Sequence, residues 1–222
     1  MSLLKRVPGQ SCPLCGNRLV FHFHQDERRP YLRCYRCLLV FVPPAHHPTE
    51  AVERAQYDLH QNQDTPAYRR FLQPALDAVL QRVKPGLPVL DFGCGPGPVL
   101  ATMLTEAGYA CHMYDPIYQP DPQVLQPEQY AAVTATEVVE HLRHPLETLD
   151  RMWQLLLPGG VLVLMSDRAG DQADFARWHY IRDPTHIAFY SDASLQWLAH
   201  RWRAKLELPD NRLAVFTRVD GP

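Results

Sequence analysis

The stretch from Val89 to Gly97 reads Val-Leu-Asp-Phe-Gly-Cys-Gly-Pro-Gly. Its apolar beginning predicts a buried strand that ends near Asp91, and the residues from Pro98 onward predict an amphipathic helix. Between them, glycines on alternate positions let a ligand approach bare backbone beside the positive end of a helix dipole. The unit therefore predicts a ligand-binding turn in an α/β fold, although a glycine-rich stretch can also be only a tight turn.

The spacing of these glycines differs from the Gly-x-Gly-x-x-Gly of dinucleotide-binding folds. Asp91 followed by Gly93, Gly95 and Gly97 resembles motif I of the class I S-adenosyl-L-methionine (SAM)-dependent methyltransferases. The resemblance implies that these four residues bind the methionine part of SAM.

Length and composition indicate one α/β domain with a small appendage. The chain has 222 residues, of which 46% are hydrophobic, and its net charge is −2. Residues 1–10 lack the apolar core of a signal peptide, and no apolar run is long enough for a membrane span. We therefore expect a cytoplasmic protein, in which the six cysteines serve as metal ligands or core residues rather than disulfides.

Four of the cysteines have the spacing of a zinc ribbon. Cys12-Pro-Leu-Cys15 and Cys34-Tyr-Arg-Cys37 are separated by residues that alternate enough to form a hairpin. This pattern predicts a structural zinc closed by the four thiolates Cys12, Cys15, Cys34 and Cys37, with no open position for chemistry. Residues 1–42, the predicted ribbon, carry seven Lys or Arg against two Asp or Glu, an excess of about +5.

Residues 43–84 are expected to form a linker and covering helices. A proline-rich connector precedes a helix predicted from Thr49 to Asn62, and a second helix is predicted from about Pro66 to Val83. Tyr57, His60 and Tyr68 on these helices either cover a cofactor pocket or only pack between helices.

The remaining residues, 85–222, are expected to form the methyltransferase domain. After the glycine turn, a strand from Ala110 delivers Asp115, which the resemblance places at the ribose of SAM. Four prolines between Pro116 and Pro127 exclude a long helix at the place where related proteins bind adenine. A hairpin near the end, around Lys205 and Leu213, is expected to close the sheet.

The later motifs resemble the same family. A strand ending near Glu137, the sequence Glu-Val-Val-Glu-His, a helix from Pro145 to Leu157, Pro-Gly-Gly and a strand from Val161 to Ser166 follow in order. The chain thus resembles class I methyltransferases of the ubiquinone-pathway and methyltransferase-domain 23 type. The fold implied is a Rossmann-like, mostly parallel, doubly wound sheet with an antiparallel C-terminal hairpin, possessing six or seven strands, plus the ribbon.

Four ionisable residues are expected to gather at the carboxyl ends of the strands. If a helical turn begins at Glu137, then Glu137, Glu140 and His141 share one face. Together with His186, they resemble the metal ligands of ubiquinone-pathway O-methyltransferases and of small-RNA 2′-O-methyltransferases. The resemblance implies a divalent metal that holds the acceptor hydroxyl, with Glu137 also near the cofactor. Aromatic residues flank His186 and are candidates for a substrate wall: Trp178, His179, Tyr180, Phe189 and Tyr190.

Several alternatives stay open at this stage. The four residues either hold a metal, or leave His141 or His186 as a metal-free base, or are structural. The acceptor is either a small molecule bearing a hydroxyl or an RNA gripped by the basic ribbon. A non-catalytic SAM-binding module is disfavoured, because the expected site is rich in ionisable groups.

Overall fold

A computed structural model describes residues 5–59 and 62–219. His60, one of the candidate covering residues, lies outside the described residues. The strands in chain order are β1 (Val20–Gln25), β2 (Pro30–Cys34), β3 (Val40–Phe41), β4 (Pro88–Phe92), β5 (Ala110–Tyr114), β6 (Tyr130–Thr136), β7 (Leu156–Met165), β8 (Ala188–Phe189), β9 (Lys205–Glu207) and β10 (Leu213–Thr217). The helices are α1 (Glu50–Asp58), α2 (Pro66–Leu80), α3 (Val99–Glu106), α4 (Pro145–Gln154), α5 (Gln172–Phe175) and α6 (Asp192–Trp202).

The larger sheet has the predicted architecture. Within the described residues it has six strands in the order β5-β4-β6-β7-β10-β9. The first four strands pair in parallel, while β10 pairs antiparallel with both β7 and β9. The fold is therefore the mixed α/β class with a mostly parallel sheet and an antiparallel C-terminal hairpin. The six-stranded alternative is the one found.

The proline-rich stretch after Asp115 explains why β5 is an edge strand. Residues Pro122–Val124 form one short 3-10 turn, and no longer helix lies in this described segment. Since proline removes the N–H that a helix interior needs, the chain cannot build a crossover helix here. The sheet consequently ends at β5, whose side chains are largely exposed.

Some predicted boundaries were wrong. Helix α4 ends at Gln154, and strand β7 begins at Leu156, so that Pro-Gly-Gly lies inside the strand. The reason is pairing with the last strand: the Gly159 N–H donates to the Arg218 carbonyl, and the Arg218 N–H donates to the Gly160 carbonyl. Helix α1 is shorter than predicted, but Thr49 caps it, accepting a bond from the Val52 N–H.

The smaller sheet connects the N-terminal hairpin to the middle of the chain. Strands β1, β2 and β3 form an antiparallel sheet, and β8 completes it by pairing with β3. We call residues 5–42 the ribbon below. Three of its cysteines are buried in the same apolar cluster as Tyr190, Leu195 and Phe216, and the half-buried Cys15 packs against that cluster. The two sheets therefore share one continuous core.

Membrane-spanning character is a separate question. Among the residues that the structure describes, no helix has the length and apolar character that a membrane crossing requires.

Candidate functional site

The glycine turn is shaped by contacts that a side chain would block. Gly93 has a φ of +76°, and a Cβ there would lie 2.4 Å from a methyl group of Val138. A Cβ at Gly97 would lie 2.3 Å from the carbonyl oxygen of Asn62, in the segment that precedes α2. The turn is thus packed between the end of β6 and the covering segment.

Asp91 is buried within the fold and hydrogen-bonded there. It is 3% exposed, and its carboxylate accepts a hydrogen bond of 3.0 Å from the Thr134 hydroxyl of β6. Burial raises the pKa of Asp91 to about 6, while the bonds from Thr134 and the backbone N–H of Ala101 act in the opposite direction. Because Ala101 lies in the first turn of α3, the positive end of this helix stabilises the charged form of the Asp91 carboxylate.

Asp115 follows β5 and holds the glycine turn from the other side. One carboxylate oxygen accepts the Gly95 N–H at 3.0 Å, and the other accepts the N–H groups of Ile117 and Tyr118. A carboxylate offers about four acceptor positions. Three are filled by backbone, so the group has capacity for about one ligand hydroxyl.

A cavity of about 960 Å³ extends from the glycine turn to the end of β6. Its lining includes Gly93, Gly95, Asp115, Glu137, His141, Tyr57, Tyr68 and Asn62. The covering residues Tyr57 and Tyr68 therefore lie along the cavity. Helix α1 buries no residue and is joined to residues that line the cavity by polar contacts. The Tyr118 hydroxyl donates to Asp58 at 2.7 Å, and Arg143 pairs with Glu53 at 2.9 Å.

The segment after β6 differs from the predicted helical turn. Glu137 has a φ of +53°, and a 3-10 turn covers only Val139–His141. The left-handed residue breaks the expected i, i+3, i+4 face. Its N–H donates to the Met165 carbonyl of β7 at 2.8 Å, a long-range bond that holds this conformation.

Three of the four candidate residues converge. One ligand atom each from Glu140, His141 and His186 can be chosen so that all lie within 4.8 Å of one another. Glu137 is not in this group. Its carboxylate instead accepts a bond of 3.3 Å from the Tyr180 hydroxyl, which also donates to Glu140.

Both histidines have their rings fixed by backbone carbonyls. The Nδ1 of His141 lies 3.2 Å from the Thr185 carbonyl, and the Nδ1 of His186 lies 2.8 Å from the Tyr180 carbonyl. Because a carbonyl oxygen can only accept, each Nδ1 carries the proton and each Nε2 keeps its lone pair. The rings meet edge to face with centroids 4.7 Å apart.

The electrostatics of the cluster reflect burial. Burial, with the neighbouring Glu140, raises the pKa of Glu137 to about 8. Burial likewise raises the pKa of Glu140 to about 7. Burial and the adjacent His141 lower the pKa of His186 to about 3. Without a cation, this pocket therefore favours neutral groups.

The aromatic residues around His186 lie outside the lining of the large cavity. Phe189 and Tyr190 are buried, and none of the five candidates lines the large cavity. Sequence reasoning also missed the part that Tyr180 plays. Its hydroxyl joins the two glutamates and its ring lies 4.1 Å from that of His186. No local pattern distinguishes this tyrosine from a core residue.

The four predicted ribbon cysteines form a second cluster. Their sulfur atoms all lie within 4.8 Å of one another, with Cys12 and Cys37 at 3.5 Å and Cys15 and Cys34 at 3.4 Å. These distances are far longer than a disulfide and match neighbouring corners of a tetrahedral thiolate site. Cys94 and Cys111 lie outside the cluster.

Comparisons with known proteins agree with this architecture. A family model described as "Methyltransferase domain" matches residues 60–202. No curated protein matches the chain. A solved complex between the Haloferax volcanii Trm112 methyltransferase activator and a methyltransferase matches with 15% identity and a TM-score of 0.56, over 76% of this chain and 98% of the other.

Two further solved structures are similar. A chain from Methanococcus maripaludis, assigned as an S-adenosyl-L-methionine-dependent methyltransferase, is 10% identical with a TM-score of 0.50, over 77% of this chain and 94% of the other. A SAM-dependent methyltransferase from Archaeoglobus fulgidus is 20% identical with a TM-score of 0.49, over 64% and 73%. At these identities the likeness concerns the fold alone. The family match covers more than half of the chain, and the chain therefore belongs to the methyltransferase-domain family and is a SAM-dependent methyltransferase.

Proposed function

We propose that the chain transfers the methyl group of SAM to a hydroxyl group of a small-molecule acceptor, with a divalent metal at Glu140, His141 and His186. The observation that carries the proposal is the cavity of about 960 Å³, which Gly93 and Gly95 of the glycine turn line together with His141. Its volume is in the range of small-molecule sites. Cofactor and acceptor would thus meet in one pocket.

The residues of the cluster fit a metal. The buried Oε2 of Glu140 has no hydrogen-bond partner among the described residues, and an unpaired buried carboxylate oxygen is costly. The two Nε2 atoms present lone pairs, and the backbone carbonyls behind each Nδ1 are the usual support of ligating histidines. A set with two imidazoles suits Mn²⁺, Fe²⁺ or Zn²⁺ better than Mg²⁺. When bound, such a metal lowers the pKa of an acceptor hydroxyl and orients it.

The protein's own groups do the rest of the work. Asp91, Gly93, Gly95 and Gly97 maintain the turn for the methionine part of SAM, while Asp115 accepts about one ribose hydroxyl. The sulfonium methyl is already activated, so the transfer needs mainly an aligned nucleophile and removal of its proton. We assign Glu137 to the boundary between cofactor and acceptor, because it lines the cavity and lies outside the three-residue group.

Without a metal, His141 is the candidate base. It lines the cavity, whereas His186 is 7% exposed and does not. We therefore propose His141 rather than His186 as the base in the metal-free alternative.

Three of the ribbon's arginines favour a small-molecule acceptor over RNA, because their guanidinium groups make contacts within the protein. Arg29 is buried, and Arg28 donates to the carbonyls of Ile181 and Arg182. Arg33 lies over the ring of Phe23 at 4.7 Å. The positive charge available to phosphates is therefore smaller than the sequence implies.

At Cys12, Cys15, Cys34 and Cys37 we propose a structural zinc. Four thiolates at the observed spacing would complete its shell, so this metal would have no part in methyl transfer.

The test is methyl transfer from labelled SAM to separated metabolite, RNA and protein fractions, with and without added Mn²⁺ after chelation. We expect label in a metabolite fraction that requires Mn²⁺, its loss in His141→Ala, and its retention in His179→Ala, an exposed histidine outside the cavity. Label confined to RNA would overturn the acceptor class. Full turnover in chelator would overturn the metal and leave His141 as base.

A further inference from the structure

The ribbon contacts the loop that carries His186 through one buried cation. Arg29, in the turn between β1 and β2, is 5% exposed. Its guanidinium donates to the carbonyl of Pro184 at 2.6 Å and to that of Asp183 at 2.8 Å. A longer bond of 3.3 Å reaches the Ile181 carbonyl, and Nε donates to the Tyr31 hydroxyl at 3.0 Å. The N–H groups of a buried arginine must be paired, because leaving them unpaired would strongly destabilise the fold. The positions of their partners therefore matter to the fold.

The carbonyls that Arg29 binds are adjacent in sequence to both histidine contacts, since Ile181 follows Tyr180, whose carbonyl contacts His186, and Pro184 precedes Thr185. Thr185 follows Pro184, and its own carbonyl accepts from Nδ1 of His141. The side chain of Asp183 accepts from both the N–H and the hydroxyl of Thr185. Fixing residues 183 and 184 therefore fixes the group that orients His141 and the backbone from which His186 projects.

The ribbon holds the other end of this loop as well. The Val42 N–H donates to the Ile187 carbonyl at 2.9 Å, where β3 pairs with β8. On the opposite side, the Ile187 N–H donates to the Glu140 carbonyl at 2.8 Å. His186 thus lies between attachments to the ribbon on both sides. One side is held by the buried Arg29 together with the more exposed Arg28, and the other by β3, which continues to Glu140.

We infer that Arg29 is a positioning residue of the active site, which holds the 181–186 loop so that His186 and His141 face each other beside Glu140. Its guanidinium fork is suited to several carbonyls at once, which a lysine ammonium on a flexible stem is not. The ribbon then acts as a structural part of the catalytic centre rather than as a separate docking unit. The effect of Arg29 on metal binding rests on the proposed function, because it requires the metal site at Glu140, His141 and His186.

The experiment compares Arg29→Met with Arg33→Met, both in zinc-loaded protein. Arg33 belongs to the same hairpin, but its guanidinium lies over Phe23 and has no bond to the 181–184 carbonyls. Hydrogen exchange of the amides at 185–187 reports the loop without any metal. Because bonds from a charged group are lost, we expect exchange there to accelerate by about 10- to 100-fold in Arg29→Met only. Exchange at 91–97 and calorimetric SAM affinity should stay as in the parent protein.

Manganese binding, followed by its electron paramagnetic resonance, supplies the second measurement, since Mn²⁺ prefers oxygen and nitrogen to the ribbon's thiolates. In Arg29→Met we expect Mn²⁺ affinity about 10- to 100-fold lower, as for loss of a support behind metal ligands. Arg29→Lys should lie between, and it decides the question if Arg29→Met does not fold. Unchanged exchange at 185–187 in the folded Arg29 variants would overturn the inference. A parent protein that binds no Mn²⁺ would overturn the metal instead, while the exchange result still decides Arg29.

Discussion

The carboxylate of Asp115 accepts a hydrogen bond of 3.0 Å from the backbone N–H of Gly95, which joins the end of β5 to the centre of the glycine turn. Asp115→Ala removes this acceptor, together with those for the Ile117 and Tyr118 N–H groups. Since charge-assisted bonds contribute about 1.5–3 kcal/mol, we expect SAM affinity to fall by at least about tenfold. Isothermal calorimetry measures this loss.

The control for Asp115→Ala is Asp121→Ala, which removes an exposed carboxylate from the same proline-rich segment. SAM affinity should be unchanged in this variant. An Asp115→Ala protein that binds SAM as tightly as the parent would show that the carboxylate neither holds the turn nor contacts the cofactor.

Gly93 is a position where backbone conformation and a close contact both require glycine. Alanine there would cost about 1–2 kcal/mol for the positive φ and would meet the stiff Val138 side chain at 2.4 Å. Gly86 is the matched control, because its φ is +87° but a Cβ would have nothing within 4 Å. Urea unfolding should show Gly93→Ala less stable than Gly86→Ala by about 1–3 kcal/mol, the cost of overpacking.

SAM binding distinguishes the two glycine variants further. Gly93 lines the cavity and Gly86 does not, so only Gly93→Ala should weaken SAM binding. Equal stability and equal SAM affinity in both variants would mean that the turn moves away from Val138 at little cost.

The fold was predictable because its signals are local. The apolar run into Asp91, the glycines and the Cys-x-x-Cys pairs each specify a structure within a few residues. The proline content after Asp115 likewise sufficed to predict the missing helix. Strand β8 has two residues and no measurable periodicity, so the sequence offered no sign that β3 would pair with it.

The candidate site was less predictable, because its geometry depends on long-range contacts. Glu137 takes a left-handed conformation through its bond to Met165, which no helical spacing rule anticipates. In the sequence, Arg29 is predicted to belong to a solvated basic patch. In the structure, the carbonyl groups that it binds lie more than 150 residues away along the chain. The convergence of Glu140, His141 and His186 could be predicted from their residue types and from the strand ends near which they lie. The contacts that support these three side chains could not.

Cys34→Ser should lower the zinc content of the purified protein from about one ion per chain toward none, because a closed site needs all four thiolates. The four sulfur atoms lie within 4.8 Å of one another and can therefore share one ion. The three that remain in Cys34→Ser cannot complete a tetrahedral shell. Elemental analysis under reducing conditions measures the content, with Cys111→Ser as the control outside the cluster. A parent protein without zinc would refute the site.

Loss of this zinc should loosen the ribbon, because its cysteines pack in the core cluster that includes Tyr190. Limited proteolysis of Cys34→Ser should cleave the ribbon, and SAM affinity should survive because the glycine turn lies in the other sheet. Loss of SAM binding in a folded Cys34→Ser protein would contradict this separation.

The buried Asp91 should give the protein a stability that falls as pH rises. Its folded-state pKa of about 6 lies above the usual aspartate pKa of 3.8, so between these values the folded state binds more protons than the unfolded state. The free energy of unfolding therefore decreases from about pH 4 to pH 6 by up to about 3 kcal/mol for this group, since each pKa unit corresponds to about 1.4 kcal/mol.

Asp91→Asn removes the titrating group. We expect the variant to gain stability relative to the parent across this pH window, and the difference to level off above it. Urea unfolding at intervals of pH measures the two curves, with Asp210→Asn as an exposed control. A constant difference between parent and Asp91→Asn from pH 4 to pH 7 would show that the carboxylate is ionised throughout, held so by the Thr134 hydroxyl and the Ala101 N–H.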